Sequence, residues 1–388
     1  MTKPPPVGVL FFLPGLVAGL AALIVLAPRT LGGAGPDGTA ADLVLFWEAG
    51  RLALQGQAAT LFDPAALADS LPPEASGLKW LYPPTMALVL APLGALPLPV
   101  AGAILLTATL LGLLAALRIA ARGAPQRSGT VLLGAFTSSS AYLIALGQLT
   151  GVFAALIVIG LTAARRRPVL AGVLIGLVTL KPHVGVLLPF ALAGLRAWRA
   201  AAAAAATAMF LGAASLLVFG AEPWRLLAAN LTAHQGGHGA GVAIGSMGGF
   251  QSLAKLGLPL GPAAAFYGVL CVGAAATAWR LGRVRPADLA PFVLLGTGLV
   301  CPVVWPYQWV LPTIGAVTLA ARDAFGSPLL CAAAALVALG ALPAIATGLT
   351  MLTLLPTGAA LCLAVWLGVA AWRVTRRSEA PSEAFAAA

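Results

Sequence analysis

Charge is what this chain has least of. Only 9% of its 388 residues are Asp, Glu, Lys or Arg, against 60% hydrophobic, and the mean hydropathy is +0.99. A soluble domain needs far more charge on its surface, so soluble classes are excluded. Period-2 alternation of polar and apolar residues is also missing, which excludes a transmembrane barrel. Continuous apolar runs of helical-span length recur instead from end to end, as in an all-α polytopic membrane protein.

Cysteine and histidine are scarce too. The four cysteines, Cys271, Cys301, Cys331 and Cys362, lie in or beside apolar segments without metal-ligand spacing, so they read as packing residues. The His234/His238 pair has helical metal spacing, but it sits in Q-G-G-H-G, a poor helix with no nearby carboxylate. A mobile substrate loop is expected there, and no metal or cofactor. No phosphate-binding loop, dinucleotide fingerprint, nucleophile elbow or zinc motif occurs, so nothing points to a nucleotide site.

The net charge of +11 could suggest nucleic acid, but its placement points to a membrane. Sixteen of the 22 basic residues fall in short clusters between apolar runs, from Lys3 through Arg165, Arg166 and Arg167 to Arg376 and Arg377. Seven of the eleven acids (Asp37, Asp42, Glu48, Asp63, Asp69, Glu74, Glu222) fall in the opposite loops. By the positive-inside rule the arginine loops and both termini are cytoplasmic. A bacterial plasma (inner) membrane is expected, with the acid-rich loops facing the periplasm. Residues 1–377 read as one membrane domain and 378–388 as a disordered tail.

Along the chain, a first span near 7–27 reads as a retained helix rather than a signal peptide. The 83–121 stretch, interrupted at 92–99, allows one net crossing. Between Arg127 and Arg165, and again between Arg167 and Arg196, the chain must go out and back. The turns fall at G-Q-L-T (147–150) and L-K-P-H (180–183). A full crossing takes about 20 residues, so these arms are too short and the turns should lie at membrane depth, lining a cavity. Lys181 and His183 there are candidates for function; snorkelling of Lys181 to the interface is the plainer alternative. Further spans are expected near 201–219, 263–281, 287–303, 308–321, 328–345 and 350–372, giving about twelve. A large outer loop, Gly220 to Pro262, holds Gln251.

The stretch Asp42 to Tyr82 is the longest polar interval. As a helix at about 100° per residue, Asp42 to Gln55 gathers Glu48, Arg51 and Gln55 into one narrow polar stripe. Asp42 falls instead among Phe46, Ala49, Gly50 and Ala53, where a carboxylate is costly without a partner or a task. Capping of the helix N-terminus is the plainer alternative. A carboxylate base on the outer side, with a cation and a histidine at a deep turn, suits transfer chemistry on an anionic, lipid-linked substrate. A transporter or flippase for a lipid-linked or small substrate is the competing class, but the chain shows no internal repeat. A non-catalytic scaffold is a third, and it would not need Asp42.

The runs D-L-V-L-F-W-E-A-G-R-L-A-L-Q-G-Q…L-F-D-P, W-L-Y-P-P-T-M, A-L-G-Q and V-T-L-K-P-H resemble, in this order, glycosyltransferase family 87. The likeness spans roughly residues 38 to 322. It implies a GT-C-like bundle with an outer-face loop and helix region after the first span. It also implies inverting transfer of a hexose, mannose favoured, from a polyprenyl-phosphate sugar to a lipid or glycan acceptor. On the resemblance Asp42 matches the acceptor base and Lys181 the lysine near the lipid phosphate; Gln148 and Tyr82 match motif positions. With Glu48, Arg51, His183, Gln251 and Tyr307 they form the candidate substrate-binding set. Two departures stand out. Leu149 follows Gly147-Gln148 where Asn is usual, and Gln308 follows Tyr307 where an acid is common.

Overall fold

The computed structural model describes residues 41–125, 127–236, 247–301, 304–322, 328–340 and 350–378. The expected first span near 7–27 and the tail after 378 lie outside them. Among the described residues the chain is helical, with one isolated bridge between Met247 and Val304.

The order begins with α1 (Ala41–Leu54), α2 (Pro64–Ser70), α3 (Pro84–Gly94), α4 (Leu98–Ala120), α5 (Arg127–Ala135) and α6 (Ser138–Leu146). It continues with α7 (Thr150–Ala163), α8 (Pro168–Leu177), α9 (Leu188–Leu195), α10 (Trp198–Phe219), α11 (Glu222–Gly236) and α12 (Gly249–Lys255). It closes with α13 (Leu260–Val284), α14 (Pro286–Val300), α15 (Val310–Ala321), α16 (Pro328–Leu339) and α17 (Leu354–Ser378). Proline opens α2, α3, α8 and α14, where its fixed φ suits the first turn and its missing N–H costs nothing.

Length and burial divide these helices. Four are long and apolar enough to cross a membrane (98–120, 198–219, 260–284 and 351–373), and α5 with α6 makes a fifth if the pair, bent by 53°, is one span. α10 and α13 expose most of their apolar surface, including Phe210, Leu217, Val269 and Val272, as lipid-facing helices do. By contrast, α14 is buried from Asp288 to Val300 and α15 from Val310 to Leu319. A helix that is apolar all round belongs at the centre of a bundle. These two pack on each other, and α14 also contacts α7, α13 and α17.

The arm around Lys181 breaks at its expected turn, whereas the outgoing arm before Gly147 is longer than expected, since α5 and α6 together can cross as one bent span. α8 ends in a 3₁₀ turn at Val178–Leu180, and Lys181 links it to a second one, Pro182–Gly185, before α9. The interruption after α3 is likewise a turn at 95–97. The Gly220–Pro262 region departs from expectation: it is not simply a loop, because α11 and α12 lie within it. His234 falls in the last turn of α11, and His238 lies outside the described residues.

Arginines at helix ends do more than mark topology. Arg127 donates to the Arg118 carbonyl, and Arg165 to those of Leu195 and Gly282. Arg322 donates to the carbonyls of Ala287 and Ala120. The Arg118, Leu195, Gly282 and Ala120 carbonyls lie in the last turns of their helices, which leave them without internal partners, and that of Ala287 faces Pro291, which has no N–H to give. Asp288, an acid among the basic clusters, is buried and bridged to Arg285 (2.7 Å) and Arg322 (3.5 Å).

Candidate active site

α1 starts at Ala41, so Asp42 lies in its first turn rather than at its cap. The helix is pressed into the bundle, and Leu43, Val44, Leu45, Phe46, Ala49 and Leu52 are all buried. Its crossing with α3 is a backbone contact. A Cβ on Gly50 would lie 2.4 Å from the Leu90 carbonyl oxygen, and one on Gly94 2.2 Å from the Arg51 nitrogen. Trp47 adds a hydrogen bond to the Leu96 carbonyl at 2.8 Å. Asp42 is thereby held on the packed face, half-buried at the edge of a cluster.

Opposite it lies the turn between α6 and α7. Gly147 ends α6 in the left-handed region (φ 71°), and the Gln148 N–H then closes back on Leu143 O at 3.0 Å. A Cβ at Gly147 would stand 2.4 Å from that of Leu43, so only glycine lets this turn meet α1. The Thr109 hydroxyl fixes the Gln148 carbonyl from α4 at 2.9 Å.

Gln148 links the site together. Its Oε1 accepts from Lys181 Nζ at 3.3 Å and from the Tyr82 hydroxyl at 3.4 Å, leaving its amide hydrogens for the hydrogen bond to Asp42. Lys181 is enclosed at 1% exposure. Its ammonium also donates to Thr150 Oγ1 at 3.4 Å and stands 5.5 Å and 5.0 Å from the ring centroids of Tyr82 and Tyr307. Snorkelling is ruled out for this side chain by its enclosure. Tyr82 is braced by Trp80 and Phe46, with ring centroids 5.0 Å and 5.4 Å away, and its hydroxyl is hydrogen-bonded to that of Tyr307.

The floor of the site is therefore Lys181 and Gln148, while Asp42, Tyr82 and Tyr307 keep a partial opening. Burial raises the Asp42 carboxyl above the ordinary aspartate value, opposed by the Gln148 hydrogen bond and the Lys181 charge. Burial also raises both phenols, and the Asp42 charge adds to the effect. They remain hydrogen-bond donors at any working pH.

His183, two residues after Lys181, has its own partners. Its Nε2 lies 2.6 Å from Gln308 Nε2, and its carbonyl accepts from the Cys301 thiol at 2.9 Å.

The other candidates are placed apart in their contacts. Glu48 is buried, and it pairs with Arg51 one turn along the polar stripe of the same helix, at 2.5 Å and 2.7 Å. Gln251 accepts from the Val304 N–H at 3.2 Å, tying α12 to the segment that carries Tyr307. Among the described residues Lys181 gives its hydrogen bonds to Gln148 and Thr150, not to Glu48, Arg51 or Gln251.

Three partners escaped the sequence analysis. Thr150 was visible in G-Q-L-T, and Gln308 beside Tyr307, but nothing local marked them as ligands of Lys181 and His183. Cys301 was read as packing; its thiol has a specific partner.

A family model for glycosyltransferase family 87 matches residues 80–306, more than half of the chain. The chain belongs to glycosyltransferase family 87. It is a membrane glycosyltransferase, handling a sugar donor and an acceptor. No curated protein and no solved structure matches it. The family match takes in Tyr82, Gln148, Lys181, His183 and Gln251. Asp42, Tyr307 and Gln308 lie outside it, and tertiary contacts bring them to the same place.

Proposed function

We propose that this family 87 enzyme moves a hexose, mannose favoured, from a polyprenyl-phosphate sugar to a lipid or glycan acceptor, with inversion. The reaction takes place at the outer face of a bacterial inner membrane, within a GT-C-like bundle of about twelve spans whose termini are cytoplasmic. One observation carries this reading: a carboxylate and a buried ammonium, 139 residues apart in the sequence, share one glutamine as hydrogen-bond partner.

Asp42 takes the proton of the attacking acceptor hydroxyl, and its raised affinity for protons suits a base. The acceptor oxygen bonds to the anomeric carbon as the bond from that carbon to the phosphate oxygen breaks. The electron pair leaves with the polyprenyl phosphate, whose growing negative charge Lys181 and the Tyr82 and Tyr307 hydroxyls stabilise. Gln148 sets the spacing between base and cation. A preorganised cation in a water-poor pocket is worth more than the same charge in water.

The test is sugar transfer in membranes expressing the wild type or Asp42→Asn, supplied with labelled polyprenyl-phosphate mannose or glucose. Transfer by the wild type and none by a well-expressed variant supports the assignment and names the sugar. Equal transfer by both removes Asp42 as the base. No transfer from either donor, with lipid-linked substrate moving between leaflets, points to a transporter.

A further inference from the structure

Beside the catalytic cluster, on the far side of Trp80, lies a cavity of about 170 Å³ whose lining includes Leu61, Phe62, Pro64, Lys79, Trp80 and Asn230. It is formed where the 3₁₀ turn Ala58–Phe62 meets α11, between the two regions that carry the acid-rich loops. Trp80 is 2% exposed, yet its indole N–H has no hydrogen-bond partner among the described residues. A buried donor left unpaired is costly, and in a cavity wall it marks a place where a bound group completes the structure.

The other lining groups indicate what that group is. Phe62, Pro64 and the indole are flat, apolar walls. Asn230 gives its Nδ2–H to the Phe62 carbonyl at 2.7 Å, which keeps its Oδ1 as an acceptor. Lys79 is exposed and supplies a donor at the rim. Apolar walls with a few separate donors and acceptors suit a hydroxylated ring, which has a C–H face and hydroxyls of both kinds. A phosphate site would gather cations, and among the described residues Lys79 is the one cation in this lining.

We propose that this cavity is a subsite for a sugar unit of the acceptor, next to the sugar that carries the attacking hydroxyl. The proposal rests on the transferase reading above. Trp80 is the dividing wall: its ring packs 5.0 Å from that of Tyr82, whose hydroxyl reaches Gln148. A sugar seated in the cavity therefore positions the acceptor against the cluster through a single aromatic pair.

The test uses the full chain in lipid nanodiscs free of sugar detergents, with ¹⁵N-labelled tryptophan. Trp80→Phe assigns the Trp80 indole signal among the nine tryptophans. Methyl mannoside or methyl glucoside should shift that signal saturably, and inorganic phosphate should not. Lys79→Met and Asn230→Leu should each weaken glycoside binding about five- to ten-fold, the loss of one hydrogen bond. In transfer assays the same variants should raise the acceptor KM by that factor, leaving kcat and the donor KM unchanged. A glycolipid that shifts the indole while free glycosides do not would mean the sugar is read only on its lipid, still as acceptor. The subsite is overturned if no glycoside or glycolipid moves Trp80, if phosphate does, or if neither variant changes the acceptor KM while transfer continues. A saturable Trp80 shift without any transfer would overturn the transferase reading and leave the sugar site standing.

Discussion

Gln308 Nε2 lies 2.6 Å from His183 Nε2, and this contact fixes the protonation of the histidine. The Trp305 N–H donates to Gln308 Oε1 at 2.8 Å, so the carboxamide can face His183 only with its N–H. His183 Nε2 must accept, the ring proton sits on Nδ1, and the imidazole is neutral. Gln308 therefore withholds a second proton from this ring.

The tautomer can be seen directly. In a variant with His234 and His238 replaced, ¹⁵N spectra near neutral pH should show His183 as the neutral Nδ1–H form. Gln308→Glu supplies an acceptor in place of a donor and should convert the signal to imidazolium. A wild-type imidazolium, or an Nε2–H form, would contradict the hydrogen-bond assignment.

Activity should fall on the acid side at a pH above the ordinary carboxylate range, because burial raises the Asp42 carboxyl and the base works deprotonated. The Lys181 charge lowers that value, so Lys181→Met should move the acid limb to still higher pH and lower kcat about 10²-fold. A limb that stays in place in Lys181→Met would mean the titrating group is not Asp42.

Stability should move the other way. A carboxyl raised in the fold binds its proton more tightly folded than unfolded. Asp42 is therefore destabilising above its folded value, and that cost disappears as the pH falls towards the unfolded value. Asp42→Asn should unfold at a temperature no lower than the wild type at pH 7.5, while transfer drops about 10³-fold. A loss of about 5 °C or more would make Asp42 a structural anchor.

Gly147→Ala should cost about 2–4 kcal/mol, from its φ of 71° and from the Leu43 Cβ, 2.4 Å away from the new methyl. Combined with Leu43→Gly, which removes that Cβ, the loss should be smaller than the sum of the two, since the second change relieves the clash and not the backbone. Additive losses in thermal unfolding would show that the two positions do not touch.

Class and turns were legible in the chain because they follow from local physics. Apolar runs call for helices in lipid, and the two arms of about 14 residues that flank Lys181 are each too short for a full crossing. Asp42 stood out because a helical wheel puts it among alanine and phenylalanine. The same wheel put Glu48 and Arg51 on one polar stripe, where they pair, but it did not show that Glu48 is buried, since α1 is enclosed on nearly every side. Periodicity reports which residues share a face, and only packing reports what that face meets.

The amino-acid order thus determined a helical membrane protein, its interrupted arms and the residue types available for transfer chemistry. Tertiary structure decided the site: that Asp42, Tyr82, Gln148, Lys181 and Tyr307 meet, that Gln308 holds His183, and that Gln251 holds backbone instead. The reason is physical. A buried ammonium or carboxylate is tolerable only beside particular partners, and those partners come from separate segments, 33 residues apart for Lys181 and Gln148 and 125 for His183 and Gln308, which no local pattern in the chain records.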